Sequence, residues 1–396
     1  PRVPPGSVRF GQLAVAPAGS GKTTAMATLT RAWTAGGGTV VGLAPSAAAA
    51  AVLREQIGAD TDTLAMLITA LDRGVMPDWA ARIGPDTLVV IDEAGMADTL
   101  SLDAAIAHVL ARGGSVRLIG DDQQLASVGA GGVLRDIAAT HGAIHLQELM
   151  RFADPAEAAA TLALREGRPE ALGFYLDNRR VHVGDHEVSV QDVFTAWRAD
   201  VAAGLDAIML APTRELVAEL NARARTHRLH RGLEPEPEPG AWRGRRGGLR
   251  RGVRQLGTGR RRPPQGGRSV VLADGNQAGV GDLVITRENR RRLRVSATDW
   301  VKNGDRWTVT GVGGDGGLTV VGTRHGLRLR LPAEYAATHT ELGYASTIHA
   351  AQGLSVDTMH GLIDGHQTRQ QLYTMMTRGS RANHLYLQVV GDGDPH

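Results

Sequence analysis

The sequence predicts an α/β fold of two domains built on parallel sheets, with a small antiparallel β-barrel inserted into the second. Three observations predict it. Short apolar runs alternate with helical stretches over residues 12–119, and the same alternation resumes after Phe152. Between 269 and 331 it gives way to brief β segments separated by Asn-Gly and Gly-Gly-Asp-Gly-Gly turns.

Residues 12–16 are a short apolar strand closed by Pro-Ala-Gly-Ser-Gly, and 24–33 follow as a helix, which makes one strand–loop–helix unit. Residues 40–44 are the next strand and 47–57 an alanine-rich helix. The run 87–91, apolar from Leu88 on, reads as a buried strand, 102–112 as a helix and 115–119 as a further strand. In the second region 156–166 is helical, 207–210 a strand and 215–230 a helix. Residues 233–268 break this grammar: Glu-Pro repeats run into an Arg/Gly/Pro stretch that cannot bury a core, so a disordered tether is expected. Its composition also suits an out-of-frame reading of a GC-rich gene, which resequencing the coding DNA checks. The segments 281–286, 306–310, 318–321 and 327–331 are the barrel strands, and helix and strand return over 343–390. The expected boundaries are 1–150 for the first domain, 151–232 and 343–396 for the two parts of the second, 233–268 for the tether and 269–342 for the barrel.

Composition bounds the function. The 396 residues are 42% hydrophobic and include no Cys, which excludes disulfide scaffolds, thiolate zinc sites and thiol nucleophiles and makes the cytoplasm the expected compartment. The most apolar stretch, 40–53, is interrupted by Gly42, Pro45 and Ser46 and falls short of the roughly 20 residues a spanning helix needs, so no membrane partner is expected. The chain begins at Pro1 without a basic-then-apolar leader and reads as an internal piece of something longer. Lys+Arg number 44 against 41 Asp+Glu, but ten Arg and no acid fall within 241–268, leaving 34 basic residues against 41 acidic elsewhere. Overall charge therefore does not argue for nucleic acid; motifs must.

The first motif is Ala16-Pro17-Ala18-Gly19-Ser20-Gly21-Lys22-Thr23, a phosphate loop placed between strand and helix. The nucleotide contacts run from Pro17 to Thr24. Backbone amides from Ala18 to Thr23 would cradle a β-phosphate, Lys22 would reach the β and γ phosphates, and the Thr23 hydroxyl would ligate Mg2+. Further on, Leu88-Val-Val-Ile-Asp92-Glu93 ends a strand in two carboxylates, Asp92 for the Mg2+ shell and Glu93 to polarise water. A glycine turn and a solvated acidic strand end are the plain readings of each motif alone. In this order they specify a nucleotide hydrolase. Leu118-Ile-Gly-Asp-Asp-Gln-Gln-Leu adds a third strand end, with Asp121 to organise the loop and Gln124 to sense the γ-phosphate, or simply a polar turn.

The Gly-Asp-x-x-Gln-Leu pattern after Asp-Glu-Ala resembles superfamily 1 helicases, and the resemblance extends along nearly the whole chain. It implies two RecA-like phosphate-loop NTPase domains. Residues 146–152 are similar to the segment that delivers an arginine finger, here Arg151. Leu210-Ala-Pro-Thr-Arg-Glu-Leu with Asn221 resembles the first strand and helix of the second motor domain. Gly343-Tyr-Ala-Ser-Thr-Ile-His-Ala-Ala-Gln-Gly353 resembles the motif joining DNA to the nucleotide, and Tyr373-Thr-Met-Met-Thr-Arg-Gly-Ser-Arg resembles the last motif, with Arg378 as second finger. The inserted barrel, with Lys302-Asn-Gly-Asp, is similar to the SH3-like insertion of the RecD-like, 5′ to 3′ branch. The helicase segments of actinobacterial MobF (TraA/TrwC-type) conjugative relaxases look most alike, although neither a tyrosine cluster nor a three-histidine motif is present, and His182 with His186 reads as a surface strand.

The resemblance implies ATP and Mg2+ as cofactors, single-stranded DNA as partner and a relaxase domain upstream. It also implies DNA contacts from Pro45, Ser46 and Thr63 on the first domain and from Thr347, His349 and Gln352 on the second. Aromatic residues are 4% of the chain, so stacking platforms are few; Tyr344 and His349 are candidates, Tyr344 reading equally as core. The glutamine motif that reads adenine in this superfamily is absent. A phosphate-loop ATPase acting on protein or metabolite, or an idle DNA-binding remnant, are the rival readings.

Overall fold

The structure, a computed structural model, describes residues 12–17, 19–124, 133–146, 152–231, 268–296 and 299–389. The expected tether, apart from Arg268, lies outside the described residues, as do Ala18 and Arg151.

The first domain comprises β1 (Gln12–Val15), α1 (Lys22–Ala35), β2 (Thr39–Ala44), α2 (Ala47–Ile57), β3 (Asp60–Thr63), α3 (Leu64–Arg73), α4 (Asp78–Ala81), β4 (Thr87–Ile91), a 3-10 turn (Ala94–Met96), α5 (Thr99–Ala111), β5 (Ser115–Gly120), α6 (Val133–His141) and β6 (Ile144–His145). Its six strands are all parallel, in the order β3-β2-β4-β5-β1-β6. β4 is buried at every position because helices cover both faces. Leu88 and Val90 pack with Met26, Leu53 and Ile57 of α1 and α2, whereas Val89 and Ile91 pack with Leu67, Leu102 and Ala105 of α3 and α5. This order sets the C-terminal ends of β4, β5 and β1 side by side, where a ligand crevice opens in parallel sheets. The helix expected at 102–112 starts earlier, at Thr99, because the Asp98 carboxylate accepts the Ser101 amide at 2.8 Å and caps it.

The second domain begins with α7 (Pro155–Glu166), α8 (Glu170–Asp177), β7 (Val181–Gly184), α9 (His186–Ala202), β8 (Ala207–Ala211) and α10 (Arg214–Arg231). The insertion follows as β9 (Val270–Val271), β10 (Gln277–Ala278), β11 (Leu283–Thr286), β12 (Arg290–Arg294), β13 (Trp300–Val301), β14 (Arg306–Val312), β15 (Leu318–Gly322), β16 (Arg328–Leu331), α11 (Ala333–His339) and β17 (Thr340–Leu342). The chain then returns as β18 (Ala345–Thr347), β19 (Val356–Ile363), α12 (Arg369–Met376) and β20 (Gly379–Gln388). The second sheet is parallel throughout, ordered β18-β8-β19-β20-β7. The insertion is antiparallel: a sheet ordered β16-β15-β14-β11-β17, with the ribbons β9–β10 and β12–β13.

Three buried polar groups root the insertion in the second domain. The Asn221 amide nitrogen donates to the Leu342 carbonyl at 3.1 Å, and its oxygen accepts from the Tyr344 and Ala345 amides at 3.0 and 2.8 Å, so one side chain holds the return point. Asp282, fully buried, accepts from Arg225 and Arg228 of α10 at 3.0 and 2.8 Å and from the Tyr344 hydroxyl at 2.9 Å. Tyr344 is therefore a core residue, which corrects its candidacy as a stacking platform: its hydroxyl is committed and its ring lies edge-on to Trp197. Trp307, Val309 and Val320 of the insertion share one buried cluster with Met209 and Leu220 of the second domain. Among the described residues no helix is long and apolar enough to cross a membrane.

Candidate active site and nucleic-acid face

The loop after β1 is shaped by its glycines. The Ala16 amide donates to the Gly120 carbonyl at 2.8 Å, fixing the loop against β5, and Gly19 and Gly21 adopt φ of 87° and 73°, a region where a Cβ is penalised. Gly21 turns the chain straight into α1, so this helix begins at Lys22 and not at the residue 24 suggested by periodicity. The 14-residue helix has no side-chain cap and no acid in its first turn, and the buried Ser20 hydroxyl has no hydrogen-bond partner. Unpaired amides at the positive end of a helix, beside an orphaned hydroxyl, are what a phosphate would satisfy. Thr23 and Thr24 lie exposed at the mouth.

The Lys22 ammonium lies 2.6 Å from Glu93 Oε1 and 3.1 Å from Asp92 Oδ1. Burial disfavours its charge, but the two carboxylates outweigh burial and hold its pKa above the usual lysine range. Burial, reinforced by the Glu93 charge and opposed by Lys22, raises the Asp92 pKa. One ammonium thus faces two carboxylates, and the surplus negative charge on hard oxygen donors suits Mg2+. Glu93 sits at φ 50° and ψ 37°, a left-handed conformation uncommon outside glycine, and its amide donates to Asp92 Oδ1 at 2.8 Å. Gly95 lets the β4 loop lie on the β5 loop: a Cβ there would meet the Asp121 carbonyl oxygen at 2.9 Å.

Beyond β5 the site joins the second domain. Asp121 Oδ2 accepts from the Tyr373 hydroxyl of α12 at 2.7 Å, and its Oδ1 accepts from Arg165 Nε of α7 at 3.0 Å. Arg165 also bonds Asp122 at 2.5 Å. Burial raises the Asp121 pKa against these partners. Gln123 Oε1 accepts from Arg369 Nη2 at 2.8 Å, while Gln124 lines a small pocket with Gly95, Asp121 and Arg135. Sequence reasoning missed Arg165 and Arg369 altogether, because a lone arginine on a helix carries no local signal of a distant partner. Arg378 is 2% exposed and bonds inward, with Nε to the Thr374 carbonyl at 2.8 Å and Nη1 to the Leu354 carbonyl at 3.1 Å.

Comparison with known proteins places this geometry. Residues 6–186 match the family model described as an AAA domain. Over 373 residues, 93% of the chain, the sequence is 28% identical to the conjugal transfer protein TraA of Agrobacterium fabrum, and the chain spans 30% of that protein's length. It is 28% identical to the RecBCD enzyme subunit RecD of Mycolicibacterium smegmatis, a match covering 88% of this chain and 61% of that one. Along nearly its whole length the chain is thus similar to superfamily 1 helicases of the RecD-like branch. Its fold is also that of the Pif1 helicase from Bacteroides in complex with ADP-AlF3 and ssDNA, at a TM-score of 0.56 and 16% identity, over 96% of this chain and 89% of that one.

In this fold the residues expected to face DNA lie on two sheet rims. Pro45 and Ser46 follow β2 and Thr63 ends β3, adjacent parallel strands in which Ala44 pairs with Thr63. The Ser46 and Thr63 hydroxyls cap α2 and α3, each accepting an amide at 3.1 Å, from Ala49 and Met66. Both helix N-termini therefore open onto one rim. On the second domain Thr347 ends β18 opposite Ala211, and its hydroxyl accepts the Ala350 amide at 3.3 Å. His349 and Gly353 are exposed in the following turn and Gln352 is half-buried. The His182–His186 pair does not form a metal cluster. His182 stacks on Tyr386, and the His186 ring meets the Gln388 amide at 3.0 Å.

Proposed function

We propose that this motor couples ATP hydrolysis to movement along single-stranded DNA, 5′ to 3′, and serves as the motor segment of a cytoplasmic, conjugative relaxase-type protein. The observation that carries the reading is the wiring of the site. The β5 loop beside the Lys22–Asp92–Glu93 cluster is bonded directly to α7 and α12 of the second domain. Hydrolysis and the relative position of the two DNA-facing rims are thereby one mechanical problem. The TraA and RecD relatives and the ligands of the Pif1 complex support the substrate classes.

The residues supply the following steps. The phosphate-loop amides and Ser20 would receive the β-phosphate, and Lys22 would leave Glu93 for the γ-phosphate. Released from its ion pair, the Glu93 carboxylate becomes free to orient a water and take its proton. Thr23 and Asp92 would hold Mg2+, which neutralises phosphate charge when bound. Arg151 and Arg378 would offset charge developing on the transferred phosphoryl group, a contribution worth about 10³ to 10⁵ in rate. Gln124 would sense the γ-phosphate from the β5 loop.

Steady-state ATP hydrolysis with and without single-stranded DNA tests the reading. Strong stimulation is expected, with Lys22→Ala abolishing turnover while DNA binding persists. Turnover indifferent to DNA would favour an ATPase acting on another substrate, and DNA binding without turnover an idle remnant. Unwinding of partial duplexes carrying 5′ or 3′ single-stranded tails reads the direction.

A further inference from the structure

A motor that grips a single strand needs surfaces for bases, and the burial of Tyr344 removes it from that role. Trp300 offers such a surface. It opens β13, whose ribbon partner β12 reads Arg-Arg-Arg-Leu-Arg, with Arg290, Arg291, Arg292 and Arg294 exposed. The Arg291 guanidinium covers the indole at 4.5 Å from the ring centre, and the Lys302 ammonium lies 5.6 Å from it. Arg291 then reaches out of the insertion to Asp62 of the first domain, at 2.7 Å, next to the Thr63 cap. Trp300 and Lys302 line a small pocket with Ala47, Arg54 and Thr63, so the indole stands at the rim assigned to DNA. Its ring N–H is buried and has no hydrogen-bond partner, whereas buried tryptophans ordinarily satisfy theirs.

We propose that Trp300 is a base-stacking site for single-stranded DNA and that Arg291, held by Asp62, occupies it while DNA is absent. The inference rests on single-stranded DNA being the substrate. The face of an indole receives a guanidinium plane or a nucleobase through the same surface, so the two compete for it. A base that takes the ring displaces Arg291 from both Trp300 and Asp62 and leaves it free to meet a phosphate, alongside the exposed arginines of β12. Until then Arg291 masks the Asp62 charge at a rim that must receive a polyanion. A strut fastening the insertion to the first domain accounts for the Arg291–Asp62 bond, but not for the unpartnered indole N–H or the row of exposed arginines behind it.

The test is the affinity of the intact chain for labelled oligothymidylate, by fluorescence anisotropy, for wild type, Trp300→Ala, Trp300→Phe and Asp62→Asn. Trp300→Ala is expected to weaken binding about tenfold, as for loss of one stacked base, and Trp300→Phe much less. Asp62→Asn should tighten binding severalfold, since Asn still accepts the Thr63 amide but no longer retains Arg291. Oligothymidylate should quench intrinsic tryptophan fluorescence in wild type, and part of that quench should disappear in Trp300→Phe. Should Trp300→Ala fail to fold by thermal melting, Trp300→Phe quenching and Asp62→Asn affinity decide the matter. Equal affinity in all variants with the quench unchanged overturns the proposal, as does weaker binding by Asp62→Asn. Wild type that does not bind at all overturns the single-stranded DNA reading beneath it.

Discussion

Arg378 shows how a side chain proposed as an arginine finger can also hold structure. Its guanidinium donates to the Thr374 carbonyl of α12 and to the Ala351 and Leu354 carbonyls of the turn that carries Gln352 and Gly353. The same fork that would serve a phosphoryl group thus binds the turn next to the rim proposed for DNA, and a shift of that turn would loosen the hold on the proposed finger. Arg378→Ala should lower kcat by about 10³-fold or more while nucleotide affinity changes little, measured by single-turnover hydrolysis beside equilibrium nucleotide binding. Equal losses in both would contradict a finger role. Because the substitution also strands buried carbonyls, Arg378→Lys separates the effects: it keeps the charge but not the fork. At this scale much of the site is legible in the sequence. Lys22 opens a helix after a glycine-rich loop, and Asp92 and Glu93 follow an apolar strand, all of which are local signals. Arg165 is not legible, since a basic residue near the end of a helix already has a favourable place there, and only the folded chain shows Asp121 as its partner. Gln123, next to the expected sensor Gln124, makes the interdomain bond to Arg369, a difference of one position that spacing cannot resolve.

Among the elements, β7, β20 and β19 bring His182, His384 and His360 onto one face, with ring centres 5.6 and 5.4 Å apart in succession. His360 bonds Asp200 of α9 at 2.8 Å, and the His384 ring nitrogen accepts from Arg180 at 2.7 Å. Burial, then the charges of His360, Arg180 and His182, push the His384 pKa down to about 3. The direction of the pH effect follows. Above about pH 6.5 both folded and unfolded chains hold a neutral imidazole, and His384 contributes no pH dependence. Below it the unfolded chain takes up a proton that the folded chain refuses until pH approaches 3, so stability falls by about 1.4 kcal/mol per pH unit across that window. Urea denaturation at pH 7.5, 6.5 and 5.5 should show this decline in wild type and a shallower one in His384→Phe; parallel declines would rule the histidine out. β7 is legible only in part. The sequence places His182 and His186 on one surface strand, whereas β7 ends at Gly184 and His186 opens α9; its partner β20, which pairs Leu385 with Val181 across some 200 residues of chain, has no local signal. By contrast β4, apolar from Leu88 to Ile91, and β8, apolar throughout, announce themselves.

The whole molecule is held by few, well-buried joints. Asp282 gathers Arg225, Arg228 and Tyr344, so it secures the insertion to α10 and to the strand that follows. Asp282→Ala removes one partner from a buried charge cluster and should cost about 3–5 kcal/mol. Because Trp307 and Trp197 lie in one cluster, denaturation followed by tryptophan fluorescence should still show a single transition, at lower urea. A separate early transition would mean that the insertion unfolds by itself. The order of strands bears finally on how the protein is made. The first sheet draws its described strands from residues 12–145, all of which are made before any strand of the second. In the second sheet β20 lies between β19 and β7, yet it consists of Gly379–Gln388. Throughout synthesis of the insertion the nascent chain carries a finished first domain and a second with bare strand edges, the species most exposed to misassembly and to chaperones. A premature stop before Gly379 would spare nucleotide-loop folding and leave the second parallel sheet without β20.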